Sequence, residues 1–198
     1  ENNKAIQIRE KYNWQEKKVF AYFGAHGVAN DLMQVVEVAN SFKNDDNIHF
    51  VLIGDGMQKK MLKDKVNEYG LNNIEFIDSV PKNEVVDYIN AVDICMAILK
   101  KTDTFKTVYP NKVFDYMSCK KPTLVTIDGI TRDLIETSQC GLYSEPENLE
   151  EFKIVVNKFI NIKDEELSKF GENGFKYVKE HFDREKLAER YIEVIEKV

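Results

Sequence analysis

From Val19 onward, short and almost wholly apolar runs alternate with longer amphipathic stretches, and this alternation constrains the chain more than any other feature. It is the pattern of successive βαβ units, in which strands are covered on both faces by the helices that connect them. Strands are expected at Val19–Gly24, His49–Gly54, Ile74–Ile77, Ile94–Ile98 and Thr123–Thr126, with a short one near Leu142. Helices are expected at Asp31–Phe42, Gln58–Tyr69, Asn83–Ala91, Asn111–Cys119 and Ile130–Thr137. The fold class that follows is α/β, a doubly wound, mostly parallel six-stranded sheet.

After Pro146 the pattern becomes helical only. Asn148 with Glu151 three residues on reads as a helix cap, Gly171 and Gly174 are expected to interrupt or bend the next helix, and Asp183 starts the last. In that last helix Leu187, Tyr191, Val194, Ile195 and Val198 recur at helical spacing and ask for a partner surface. Residues 1–18 are polar apart from a few positions such as Ile6, Ile8, Tyr12 and Trp14, and read as a linker or a short helix leading into the first strand. Residues 19–198 then form one domain with its C-terminal helices. Because the chain opens on Glu1 rather than Met, it is expected to be part of something longer.

Charge narrows the partners. The chain carries 28 Lys and Arg against 34 Asp and Glu, a formal net charge of −6. Affinity for nucleic acid rests on neutralising phosphates with basic residues, so nucleic acid is not an expected partner. A local basic pocket is compatible with the same balance. No apolar run approaches the roughly 20 residues needed to span a bilayer, and a cytoplasmic location is expected. Cys95, Cys119 and Cys140 are odd in number and fit no metal-ligand spacing. They read as structural, and no metal site is expected.

In an open parallel sheet, ligands bind where the carboxyl ends of strands lead into helix N-termini. The first such loop runs from Gly24 to Asp31; its glycines Gly24 and Gly27 would let backbone approach a ligand, or simply make a tight turn, and its spacing is not GxGxxG. His26 in this loop either touches a phosphate or sits in solvent. The second loop, Gly54-Asp55-Gly56, marks the same edge with turn chemistry. The third is polar from Lys100 to Tyr109 and leads into Pro110-Asn111-Lys112, where Pro110 suits a helix start. Such a start aims free backbone donors at the loop, and Lys112 adds a full positive charge that the helix dipole by itself disfavours. Asp115, three residues on, shares roughly that face and could accept bonds from ligand hydroxyls. The competing reading is a surface Lys/Asp pair worth a few tenths of a kcal/mol, and the residues alone leave both open.

Taken in order, the blocks FAYFGAHG, IHFVLIGDGMQKKMLKD, NIEFIDSVPKNEVVDYINAVDICMAIL, YPNKVFDYMSCKKPTLVTIDG and DLIETSQCGLYSEPENLEEF resemble the nucleotide-sugar-binding C-terminal half of GT-B glycosyltransferases. The likeness is greatest to family four, also called glycosyl transferases group 1, and covers nearly all of residues 19–152. It implies a Rossmann-like domain, half of a GT-B fold, that takes a nucleotide-diphosphate sugar, UDP-linked, as substrate and needs no cofactor or metal. By the same resemblance Asp115 contacts the donor's ribose hydroxyls, and Lys112 with the Asn111 amide holds the diphosphate, both counted as catalytic. The loop through Val80 faces the base, and Gly24 and Gly27 line the phosphates or sugar. Gly54, His26 and Pro110 complete the implied donor site.

The chain departs from the family pattern at three places. The usual first acid, eight positions before the second, is replaced by Thr107. The second is Asp115 rather than Glu, and the loop after the first strand offers only His26 where basic residues are usual. The resemblance also implies a partner, the N-terminal half of the same enzyme, through which any peripheral membrane association would come. Without it the chain is expected to bind donor and transfer nothing. The rival readings are a flavodoxin-like regulatory or partner-binding module and half of a GT-B UDP-sugar epimerase. A receiver would need acids at the end of its first strand, which here ends in Phe23-Gly24-Ala25.

Overall fold

The structure, a computed structural model, describes residues 3–196. Six strands, β1 (Lys18–Phe23), β2 (Ile48–Ile53), β3 (Ile74–Ile77), β4 (Ile94–Ile98), β5 (Thr123–Thr126) and β6 (Gly141–Tyr143), form one sheet in the order β3-β2-β1-β4-β5-β6. Every pairing is parallel; Phe20 of β1 lies between Phe50 of β2 and Ile94 of β4. The strands are legible as apolar runs because both faces are covered: every residue of β2 and of β4 is buried.

Helices connect the strands: α2 (Met33–Ser41), α3 (Lys59–Tyr69), α4 (Val85–Ala91), α5 (Asn111–Ser118) and α6 (Ile130–Ser138). One face of the sheet packs Phe20, Tyr22, Phe50 and Leu52 against α2, α3 and α7 (Leu149–Asn161). The other packs Ala21, Phe23, Val51 and Cys95 against α4, α5 and α6. Asn148 caps α7 by accepting a bond from the Glu151 amide at 3.1 Å, as expected from their spacing. All three cysteines are free thiols, and burial raises the pKa of each.

Two expectations need correction. The first crossover helix does not begin at Asp31, because a 3-10 turn (Val28–Asn30) comes first and Asp31 itself adopts a left-handed backbone, φ 42°. Nor do Gly171 and Gly174 interrupt their helix, for α8 runs unbroken from Asp164 to His181. These glycines are buried contact points instead: a methyl on Gly171 would overlap the Lys120 carbonyl oxygen, and one on Gly174 would stand 2.9 Å from the Cys140 Cβ.

The segment before β1 is fastened to the domain. Helix α1 (Asn3–Lys11) lies along α4, and the Arg9 guanidinium donates to the Ala91, Trp14 and Lys17 carbonyls and to Asp93. Trp14 is fully buried and donates through Nε1 to Glu75 at 2.7 Å. At the other end α9 (Arg184–Ile195) leaves Leu187, Tyr191, Ile192 and Ile195 exposed. Of the stripe expected there, Val198 and the Val194 side chain lie outside the described residues. No helix among the described residues is long and apolar enough to cross a membrane.

Candidate functional site

The strand order reverses direction between β1 and β4, and a doubly wound sheet opens a crevice at that switch point. Helix α5 is pinned there by Tyr116, whose buried hydroxyl donates to the Met96 carbonyl of β4 at 3.2 Å and accepts from the Phe23 amide of β1 at 3.3 Å. Lys112 lies one turn earlier on the same face. Its ammonium therefore lands on β1, 3.8 Å above the centroid of the Tyr22 ring and directly under Gly24. A methyl on Gly24 would stand 2.9 Å from that nitrogen, a contact the flexible end of the lysine can relieve, so it is the φ of +139° that calls for glycine.

Lys112 has no hydrogen-bond acceptor and no ion pair among the described residues, only the Tyr22 ring face. Desolvation pulls its pKa down to about 7. No side chain caps α5; the Val113 amide turns back to the Pro110 carbonyl at 3.0 Å, which leaves the Asn111 and Lys112 amides at the loop uncapped. An unpaired, largely desolvated ammonium beside open helix-terminal donors is an incomplete structure that one anion would complete.

The neighbouring loops interlock around this point. Gly54 follows β2 with φ +143°, and a methyl there would overlap the Gly24 carbonyl oxygen. The His26 amide donates to the Asp55 carbonyl at 2.8 Å, and the His26 carbonyl accepts from Gln58 at 3.0 Å. Between them the loops frame a cleft of about 360 Å³, whose walls include Gly24, Gly54, Asp55, Ser79 and Val80. A larger cleft of about 680 Å³ lies between α6 and the first turns of α8, at the amino ends of the strands, and contains none of the expected residues.

The expected residues divide accordingly. Gly24, Gly54 and Val80 meet in the cleft, Lys112 lies against Gly24, and Pro110 and Asn111 form the start of α5. Asp115 sits on the exposed flank of α5, where desolvation raises its pKa and the Lys82 ammonium opposes the rise. It makes no ion pair with Lys112, which removes the surface-pair reading. Gly27 caps the 3-10 turn at φ −104° and does not line the cleft. His26 is neither in solvent nor in the cleft: it is fully buried between Tyr22 and Phe76, its two ring nitrogens lack partners among the described residues, and burial with nearby Lys59 holds its pKa down to about 4. Thr107 ends an exposed 3-10 turn, its hydroxyl donating to the Thr104 carbonyl.

Sequence reasoning missed Tyr22, Tyr116 and Lys59, the residues that place the others. The Tyr116 signal was available, since it follows Lys112 by four positions and must share its face. Comparison with known proteins now fixes the family. The family model described as "Glycosyl transferases group 1" matches residues 4–177, most of the chain. The chain belongs to glycosyl transferases group 1.

Among curated relatives of this group 1 domain, an uncharacterised glycosyltransferase of Methanocaldococcus jannaschii is 28% identical over 136 residues, 68% of this chain and 37% of that one. A putative colanic acid biosynthesis glycosyl transferase of Escherichia coli is 25% identical over 137 residues, covering 33% of its own length. The chain thus spans about a third of the length of these relatives. Among solved structures, the Anabaena protein HepE in complex with UDP superposes with a TM-score of 0.87 at 15% identity, over all of this chain and 54% of that one. The C-terminal domain of a group 1 family protein from Francisella tularensis gives 0.75 at 22% identity, over 93% of this chain and 95% of that domain. At these identities the likeness shows the fold.

Proposed function

We propose that this group 1 domain binds the nucleotide-diphosphate sugar donor of a retaining, metal-independent glycosyltransferase. The carrying observation is Lys112, an unpaired cation drawn over Tyr22 and under Gly24 at the uncapped start of α5. In this reading the diphosphate lies across Gly24 and the first turn of α5, the base enters the cleft at Val80, and Asp115 accepts from ribose hydroxyls. Lys112 and the helix start then stabilise the negative charge that grows on the leaving diphosphate as the glycosidic bond breaks, the kind of preorganised electrostatic support that acts without a metal. UDP as the nucleotide is supported by the fold's likeness to HepE, which has been solved with UDP and with UDP-glucose.

The acceptor, and the contacts that complete catalysis, come in this proposal from an N-terminal half of the same enzyme. That half also carries any peripheral membrane contact, and the enzyme works in the cytoplasm. The test is titration of the chain with UDP while backbone amide shifts are followed. Shifts are expected at Gly24, Val80, Asn111 and Lys112, with millimolar to high micromolar affinity, on the order of 4 to 6 kcal/mol. Shifts confined to the cleft between α6 and α8, or none at saturating UDP, would remove the assignment.

A further inference from the structure

Lys59 opens α3 yet is only 8% exposed, whereas Lys60 beside it is exposed. A cation in a helix's first turn opposes the dipole, and burying an ammonium costs several kcal/mol unless its donors are matched. The matching partners lie on two different loops. The Lys59 ammonium donates to the Gly54 carbonyl at 2.7 Å and to the Asp78 carboxylate at 2.5 Å. Gly54 follows β2 and abuts Gly24, while Asp78 follows β3 and directly precedes Ser79 and Val80. The Gly54 amide already donates to the Ile77 carbonyl at 3.0 Å, continuing the strand ladder, and Lys59, which does not itself line the 360 Å³ cleft, adds a side-chain tie that reaches past Ile77 to the loop carrying Ser79 and Val80. Asp78 keeps its side chain 92% exposed, so the contact holds a loop in register and does not fill a core.

We propose that Lys59 is a positioning residue for the nucleobase side of the cleft, setting the distance between Gly54 and the Asp78-Ser79-Val80 loop and so the fit of the base. This rests on the donor-site reading and deepens it: Lys112 answers to the diphosphate, and Lys59 to the base. Lys59→Met keeps the length and apolar stem of the side chain and removes the charge. Calorimetry with uridine, pyrophosphate and UDP on the same 198-residue chain separates the two roles.

Uridine and UDP affinity should fall about tenfold in Lys59→Met, as expected for a misplaced binding loop, while pyrophosphate affinity changes less than about twofold. The amides of Ser79 and Val80 should shift in the ligand-free variant, and Lys59→Arg should recover most of the uridine affinity. Asp78→Asn, at an exposed site that cannot collapse the core, should show the same selective loss to a smaller degree. Equal loss of all three ligands, or unmoved loop amides with wild-type uridine affinity, would overturn the inference while leaving the donor site standing. Failure of the unmodified chain to bind UDP would instead overturn the donor-site reading on which it rests.

Discussion

At Lys112 two effects act together against the charge: the first turn of a helix disfavours a cation, and desolvation above Tyr22 disfavours its charged form. A diphosphate relieves both, and that predicts how the site fails. Lys112→Ala removes a charge-assisted bond worth about 1.5 to 3 kcal/mol, so UDP binding should weaken by roughly one to two orders of magnitude while uridine is barely affected. Asp115→Ala removes an acceptor for ribose hydroxyls and should weaken uridine and UDP alike. Calorimetry on both variants decides; equal loss of uridine and UDP in Lys112→Ala would reject its role as the phosphate contact. Protonation supplies a second readout. The free Lys112 pKa of about 7 must rise when the anion binds, so above pH 7 the complex takes up a proton and UDP affinity falls, approaching tenfold per pH unit. The slope should vanish in Lys112→Ala. In the free chain the sign is opposite: the folded pKa lies below the ordinary 10.5, the unfolded state holds the extra proton between about pH 7 and 10, and this group's contribution to stability rises with pH.

Strands were readable because parallel strands covered on both faces become contiguous apolar words, as IHFVLI of β2 and ICMAI of β4 do. Their order was not readable, since spatial neighbours β1 and β4 are far apart in sequence, and it is this order that separates the fold from a flavodoxin-like module, in which β1 would lie between β2 and β3. Side-chain partners were equally out of reach. Helical spacing puts Lys59 on the buried face with Leu62 and Val66 and leaves Lys60 off it, but the Gly54 and Asp78 partners Lys59 finds there, like the Tyr22 and Phe76 rings around His26, lie on strands and loops that the sequence does not place beside them. The glycines of α8 misled for a related reason. A glycine inside a helix reads as a weakness, but Gly171 is where α8 touches the backbone at Lys120. Propensity alone predicts that Gly171→Ala gains about 1 kcal/mol. Overlap with a backbone carbonyl costs about 1 to 3 kcal/mol and should outweigh the gain over any partial relaxation, lowering the melting temperature by a few degrees in a thermal scan. A raised melting temperature would show that the contact yields.

At the scale of the whole molecule, the walls of the cleft come largely from the loops that follow β1, β2 and β3, and α9 presents Leu187, Tyr191, Ile192 and Ile195 to solvent. The relatives are about three times as long as the stretch they share with this chain. In the two-half proposal the donor is held here and the acceptor elsewhere, and the rate comes from fixing the two reactants together, an effect worth about 7 to 11 kcal/mol when alignment is good. The 198-residue chain should therefore bind UDP-sugar and transfer no sugar, and an acceptor-binding half supplied in cis or in trans should restore transfer. The exposed face of α9 gives this a structural handle. Tyr191→Glu removes no buried contact, so it should alter the isolated chain's stability by no more than about 0.5 kcal/mol. In the two-half protein the same change places a charge in an apolar contact and should weaken transfer while UDP binding by the isolated chain stays at its original affinity. Sugar transfer by the isolated chain, measured as acceptor-dependent UDP release, would reject the divided site, and unaltered transfer by the Tyr191→Glu two-half protein would reject α9 as the contact between the halves.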